Sequence, residues 1–222
     1  LGVTDWRGVF TLLALLTLIV AAVIFFVVPE RRESSGEETF GEQLRGIGTV
    51  LTDLNFWRIA PWTTLSQASY LAIHGLWAGP WLRDVAGYDR PAVAGTLFLL
   101  ALAMILGFVV LGTIAERLSR RGVPTMSVAA VGMGLWMVVL LLIIFEQGPW
   151  CRLLWMLFGF FGTAGILPYA VLSQSFPSHL SGRANTALNL LVFVTAFAAQ
   201  WGIGAVIGRW PITETGGYAP AG

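Results

Sequence analysis

Six long apolar segments, about Gly8–Val28, Phe56–Leu82, Ala92–Ala115, Thr125–Phe145, Leu153–Phe176 and Ala184–Gly208, fill most of this chain with almost no ionisable side chain to interrupt them. Each exceeds the ~18–20 residues that a helix needs to cross a hydrocarbon core. Lipid cannot satisfy a free backbone N–H or C=O, so spanning segments must be helices or a closed barrel. These segments are too long and too continuously apolar for barrel strands, which alternate over ~10 residues. The expected fold class is an all-α integral membrane protein with six transmembrane helices. Charged residues make up 11% of the chain and its mean hydropathy is +0.76, whereas a soluble domain carries roughly a quarter charged residues.

The same residues exclude several functions. A net charge of +1 implies no attraction to nucleic acid, so no nucleic-acid partner is expected. Cys151 is the single cysteine and there are two histidines; no disulfide framework or metal cluster can be built from them within one chain. No phosphate-binding Gly-rich loop, His-Glu-x-x-His or Gly-x-Ser-x-Gly occurs, so ATP-driven transport and hydrolysis have no residues to carry them. The chain is expected to be no enzyme and to need no cofactor and no metal. Gly8–Val28 is too long for a signal-peptide core and is followed by Pro29-Glu30-Arg31-Arg32 rather than a small-residue cleavage site. The missing initiator Met and the Gly/Pro-rich end, Gly216-Gly217-Tyr218-Ala219-Pro220, read as those of a fragment of a longer protein.

The longest polar stretch runs from 29 to 55. Glu30–Glu42 is rich in Glu, Arg, Ser and Gly and is expected to be mobile. Phe40, Leu44, Ile47, Val50, Leu51 and Leu54 then recur at helical spacing, which predicts a helix lying on the membrane surface before the chain turns inward at Phe56-Trp57-Arg58. Alternating crossings sort the loops into two groups. Pro29–Asn55, Glu116–Pro124 and Pro177–Arg183 hold seven arginines, and the N-terminus, Arg83–Pro91, Glu146–Arg152 and the tail hold five. The tight Arg117/Arg120/Arg121 cluster adds to the bias and makes the first group cytoplasmic by the positive-inside rule. Trp6, Trp57, Trp62, Trp77, Trp81, Trp150, Trp155 and Trp210 lie near the predicted span ends, as interfacial belts do.

Between the third and fourth segments stands Gly112-Thr113-Ile114-Ala115-Glu116-Arg117-Leu118-Ser119-Arg120-Arg121-Gly122. This loop resembles the signature of the major facilitator superfamily, roughly Gly-x-x-x-Asp-Arg-x-x-Arg-Arg. Gly112, Arg117, Arg120 and Arg121 match, and Glu116 replaces the usual Asp. Asp5-Trp6-Arg7-Gly8-Val9-Phe10 is similar to the family's lead-in to helix 6, and Phe176-Pro177 with Gly182-Arg183-Ala184-Asn185 is similar to the loop between helices 10 and 11. The resemblance covers the whole chain and implies helices 6–11 of a twelve-helix bundle. Residues 1–28 would be the last helix of the N-terminal half, 29–55 the cytoplasmic interdomain loop, and 56–222 the C-terminal half without its twelfth helix. The implied partners are a small-molecule solute, the lipid bilayer and the missing N-terminal half. The implied location is the bacterial inner membrane. Gly112 would let neighbouring backbones approach closely. Glu116 would cap a nearby helix N-terminus, while Arg117, Arg120 and Arg121 would hold carboxylates or lipid phosphates that form in one gate state and break in the other. The plain alternative is a cluster that only fixes orientation.

Polar side chains within a bundle are costly and mark pathways. Gln67, Tyr70 and His74 in the second segment are spaced i, i+3, i+7 and share one helix face, with Ser66 and Ser69 nearby; Gly75, Gly79 and Pro80 then interrupt the helix. His74 is the only titratable group deep in a span. It would carry a coupled proton, or else form an interhelical hydrogen bond that glues the bundle. In the fifth segment Gly159, Gly162 and Gly165 recur every third residue before Pro168, Tyr169 and Ser173. Those glycines would serve either a bent, rocking helix or close packing. The sixth segment adds Asn185, Asn189 and Gln200 on nearly one stripe. The expected substrate pathway is Gln67, Tyr70, His74, Tyr169 and Asn189, with bending at Gly75, Gly79, Pro80, Gly162, Gly165 and Pro168. The expected function is secondary active transport of a small solute by alternating access, coupled to a gradient. The competing reading is a non-transporting membrane sensor or assembly scaffold, in which the Gln67/Tyr70/His74 face packs against protein.

Overall fold

The computed structural model describes residues 6–28, 39–145, 148–210 and 217; the expectations that rest on Asp5, on 29–38, on the side chain of Phe40, on Glu146 and on the rest of the tail lie outside the described residues. Every regular element among the described residues is helical. The chain divides into one unit ending at Phe40 and another beginning at Gly41. In the first unit α1 runs over Trp6–Val27, with no buried residue. Leu, Ile, Val and Phe surround it on every side, and its 22 residues reach about 33 Å at 1.5 Å per residue, enough to span a bilayer core.

The second unit is built from α2 (Phe40–Thr52), α3 (Leu54–Ala72), a π turn (Ile73–Trp77), α4 (Ala78–Asp84), α5 (Arg90–Ser119), α6 (Thr125–Phe145), α7 (Cys151–Gly162), a 3₁₀ turn (Thr163–Ile166), α8 (Leu167–Ser175) and α9 (Ser178–Ile207). Together with α1, the helices α5, α6, α7–α8 and α9 are each long and apolar enough to cross a membrane, five among the described residues. The sixth expected segment runs without a loop from α3 through the π turn into α4, but its polar content and its break keep it out of that count.

Helix starts follow local chemistry. Asp53 caps α3 by accepting from the Asn55 amide at 2.6 Å, and Asp89 caps α5 by accepting from the Ala92 amide at 2.9 Å. Pro124 and Pro177 stand just ahead of α6 and α9. Two expected loops are shorter than the sequence implied. Residues Ser178–Arg183 already form the first turns of α9, and Glu116 and Arg117 belong to the last turns of α5. The chain reverses only over Arg120–Pro124, where Gly122 takes a φ of 85° that a side chain would strain.

Two breaks have a common cause. Proline lacks an N–H and its ring collides with the carbonyl four residues earlier. For Pro80 that residue is Leu76, inside the π turn, where the Ala78 amide reaches back five residues to the Ile73 carbonyl. For Pro168 it is Ala164, inside the 3₁₀ turn, where the Leu167 amide bonds the Ala164 carbonyl three residues back. Widening one helix and tightening the other removes the same clash.

The core lies in two main clusters. Leu82, Leu100, Trp136, Trp155 and Phe158 fill one end, and Val50, Phe56, Leu172, Phe176 and Leu188 the other. The helix expected in the polar stretch is present as α2: Val50 is buried in the second cluster, and Leu44, Ile47 and Leu51 lie exposed on the adjoining face. Elsewhere the exposed surface is apolar, as on α5 (Phe98, Ile105, Leu106, Val109) and α9 (Leu190, Phe193, Phe197, Trp201). A water-soluble surface does not carry patches of that extent.

Small residues allow the close crossings. A Cβ at Gly107 would meet the Phe160 carbonyl oxygen and Thr163 Oγ1, each at 2.5 Å, and one at Gly159 would meet the Leu100 carbonyl oxygen at 2.8 Å. Gly112, by contrast, has nothing within 4 Å among the described residues, so the close approach expected there occurs one and a half turns earlier, at Gly107. Gly107→Ala should therefore cost about 1–3 kcal/mol through overpacking. Gly134→Ala, in open space on α6, should be neutral or stabilise by up to about 1 kcal/mol through helix propensity. Thermal unfolding in one detergent checks both, and equal behaviour of the two variants would contradict this packing.

Candidate functional site

The i, i+3, i+7 face of α3 and the π turn points into the bundle. Tyr70 is 5% exposed. Its ring stacks on His74 at 5.6 Å with planes 7° apart, stacks on Phe158 at 5.3 Å, and meets Trp136 edge-on at 6.3 Å. The ring occupies the space that a Cβ on Gly162 would need, and the Gln67 side-chain amide does the same at Gly165. The glycine repeat of α7 and the 3₁₀ turn thus seats one neighbour per glycine: Leu100 at Gly159, Tyr70 at Gly162 and Gln67 at Gly165. Gly75 and Gly79 make no such contact; the nearest atom to a Cβ at Gly75 is Gln200 Nε2 at 3.7 Å, and at Gly79 there is none within 4 Å.

Tyr169 and Asn189 form a separate pair. The Tyr169 hydroxyl donates to Asn189 Oδ1 at 3.0 Å between α8 and α9, with Asn189 exposed. One turn towards the α9 start, Asn185 Oδ1 is buried without a partner among the described residues. One further turn towards the start, Ser181 shares a 2.6 Å hydrogen bond with Ser173 of α8. No hydrogen bond among the described residues joins Gln67, Tyr70 or His74 to the Tyr169–Asn189 pair. The five residues therefore form two polar sets, one packed within the bundle and one at its surface.

The charged motif also differs from expectation in detail. Glu116 does not cap α6. It accepts from Arg120 Nη2 at 2.6 Å, an i, i+4 pair with both side chains well exposed. Such a pair contributes at most about 0.5 kcal/mol. Arg117 and Arg121 are exposed, with no ion pair among the described residues. No three His, Cys, Asp or Glu side chains gather as a metal site among the described residues.

One chemically notable group escaped the sequence reading. Asp84 was assigned to an outer loop, but α4 extends through it, and its side chain is only 8% exposed while Arg83 holds both carboxylate oxygens at 2.5 and 2.8 Å. The available signal was the i, i+4, i+7 spacing of Trp77, Trp81 and Asp84, which puts two indoles and a carboxylate on one face.

Tyr70 yields a test of the inner set. Its hydroxyl has no partner among the described residues, so Tyr70→Phe should leave stability within about 0.5 kcal/mol or raise it, whereas Tyr70→Ala should cost about 3–5 kcal/mol of packing. Chemical unfolding of both variants in detergent measures this. A loss above about 1 kcal/mol for Tyr70→Phe would mean that the hydroxyl is bonded.

Comparison with curated proteins and with solved structures returned no match. The sequence profile of the Major Facilitator Superfamily matches residues 1–200. With its all-helical fold, its membrane-length apolar helices and a profile match over most of its length, the chain belongs to the Major Facilitator Superfamily, a family of multi-pass membrane transporters of small solutes.

Proposed function

We propose that this chain forms part of a secondary active transporter that moves a small solute by alternating access, driven by a solute or proton gradient in symport or antiport. In this reading residues 1–28 end the N-terminal half, 29–55 cross the cytoplasmic face in the inner membrane of a bacterium, and 56–222 belong to the C-terminal half. Gln67, Tyr70, His74, Tyr169 and Asn189 line the pathway. The Gly112–Arg121 segment is the cytoplasmic gate, where the exposed Arg117 and Arg121 are available to carboxylates or phosphates of the other half. One observation carries the reading: the two helical segments that bear Gln67, Tyr70, His74 and Tyr169 are each broken beside a proline, at Ile73–Trp77 and at Thr163–Ile166, while Asn189 sits on the unbroken α9. Interrupted helices with polar faces are the usual places where transporters hold solutes and bend.

A second reading has its own support. Tyr70 and Gln67 pack against Gly162 and Gly165 rather than lining open space, as a scaffold or sensor without transport would have it. The two readings part on accessibility. In a Cys151→Ser background, Asn189→Cys and Gln67→Cys should react with a membrane-impermeant maleimide at rates that change when a transported solute or a pH gradient is imposed. Rates that never change across a solute panel would favour the scaffold. Uptake into proteoliposomes with and without a pH gradient identifies the coupling. His74→Gln should abolish gradient-driven accumulation yet leave downhill exchange. Unchanged accumulation would assign His74 to an interhelical hydrogen bond.

A further inference from the structure

Where α4 ends, the bundle holds a cavity of about 230 Å³ that the pathway residues do not line. Trp77 and Trp81 face it from the π turn and α4, Trp155 from α7, and Asp84 stands at its side, with Ile143 of α6 and Ile203 of α9 closing the wall. Trp155 is 2% exposed and backs Trp81 at 5.5 Å with planes tilted by 56°, so the indole surface open to the cavity comes from the half-buried Trp77 and Trp81. Among the described residues no basic side chain lines the cavity.

We infer that this cavity binds a small organic cation of the quaternary ammonium type. Indole faces are the strongest aromatic attractors of a cation, and Trp77 and Trp81 beside the Asp84 carboxylate suit a weakly hydrated ammonium ion. The carboxylate is the more telling half of the site. Asp84 is 8% exposed and Arg83 is 57% exposed, so the pair is asymmetric: the guanidinium reaches in from solvent and the carboxylate stays within. An exposed guanidinium loses little on returning to water, whereas a buried carboxylate cannot be left without a counter-charge. A cation entering from the cavity side would take over part of that role and release Arg83. The volume is below the usual range of drug-sized pockets, about 300–1,000 Å³, which restricts the ligand to a compact head group.

This site stands apart from the transport reading, because it is measured by binding at equilibrium. The full chain in lipid nanodiscs is titrated calorimetrically with choline and, separately, with 3,3-dimethylbutan-1-ol, its neutral isostere. Choline should bind at least about tenfold more tightly than the alcohol, the margin expected of a partly desolvated cation–π site. Asp84→Asn should remove most of that margin. Arg83→Gln should tighten choline about two- to fivefold by removing the resident competitor. Trp81→Leu should weaken choline more than the alcohol, and it decides the matter if Asp84→Asn does not fold. Equal binding of the two compounds, or a choline affinity that Arg83→Gln lowers, overturns the inference. A protein that binds choline without moving it leaves the inference intact and counts only against transport of that solute.

Discussion

Hydrocarbon offers no hydrogen-bond partner, so every peptide group in the long helices must find one inside the chain. That constraint determines where this structure is regular and where it is not. Through α5 and α6 the backbone satisfies itself and runs unbroken for 30 and 21 residues. Pro80 and Pro168 each remove one donor and crowd one carbonyl, and the chain answers within a single turn. It widens to a π turn in one case and tightens to a 3₁₀ turn in the other, and it continues as helix on the far side. Neither break becomes a loop, because a loop at that depth would leave several groups without partners.

The second constraint is how helices associate when lipid tails are as apolar as leucine. Burial of apolar surface then offers little preference for protein over lipid, and close packing must supply it. Here the approach is made by glycines that leave room for specific neighbours: Gly107 for the carbonyl of Phe160, Gly132 for Ala164, Gly159 for Leu100, Gly162 for Tyr70 and Gly165 for Gln67. The segment from α7 to α8 contributes a partner to every one of these contacts and lies at the centre of the unit. Its repeat of small residues is therefore first a packing device, whatever movement the broken turn beside it allows.

Much of this was legible in the sequence. The apolar segments, a helix ahead of Phe56 and the interruptions before Pro80 and Pro168 all follow from local composition and from the geometry of proline, which need no knowledge of neighbours. Family membership was readable from Gly112–Arg121, because a charged run between two apolar spans is a local pattern. What could not be read depended on contacts across the bundle. Glu116 pairs with Arg120, the residue that caps the end of its own helix, rather than capping the next one, since α5 extends past the membrane-length stretch and carries Glu116 in its last turn. Gly112 offers the same backbone freedom as Gly107, and only the position of α7 makes one a contact and the other open. Asp84 looked like a loop residue because the apolar run stops before it; its spacing from Trp77 and Trp81 was the one local sign of a shared face, and the shielding of its carboxylate depends on contacts across the bundle.

The distribution of polar groups follows from the same packing. Tyr70 OH, Trp136 Nε1 and Trp155 Nε1 are buried without partners among the described residues, and all three rings crowd around Phe158 at 5.2–5.4 Å. An aromatic cluster of this kind gains dispersion and edge-to-face contact but leaves its hydrogen-bond donors without acceptors among the described residues. Tyr169 and Asn189 are the opposite case, a donor and an acceptor matched to each other at the surface of α8 and α9. The inner cluster therefore owes its stability to ring packing rather than to polar pairing. Replacing a ring there removes far more than replacing a hydroxyl, whereas at the outer pair the hydrogen bond itself is the contact.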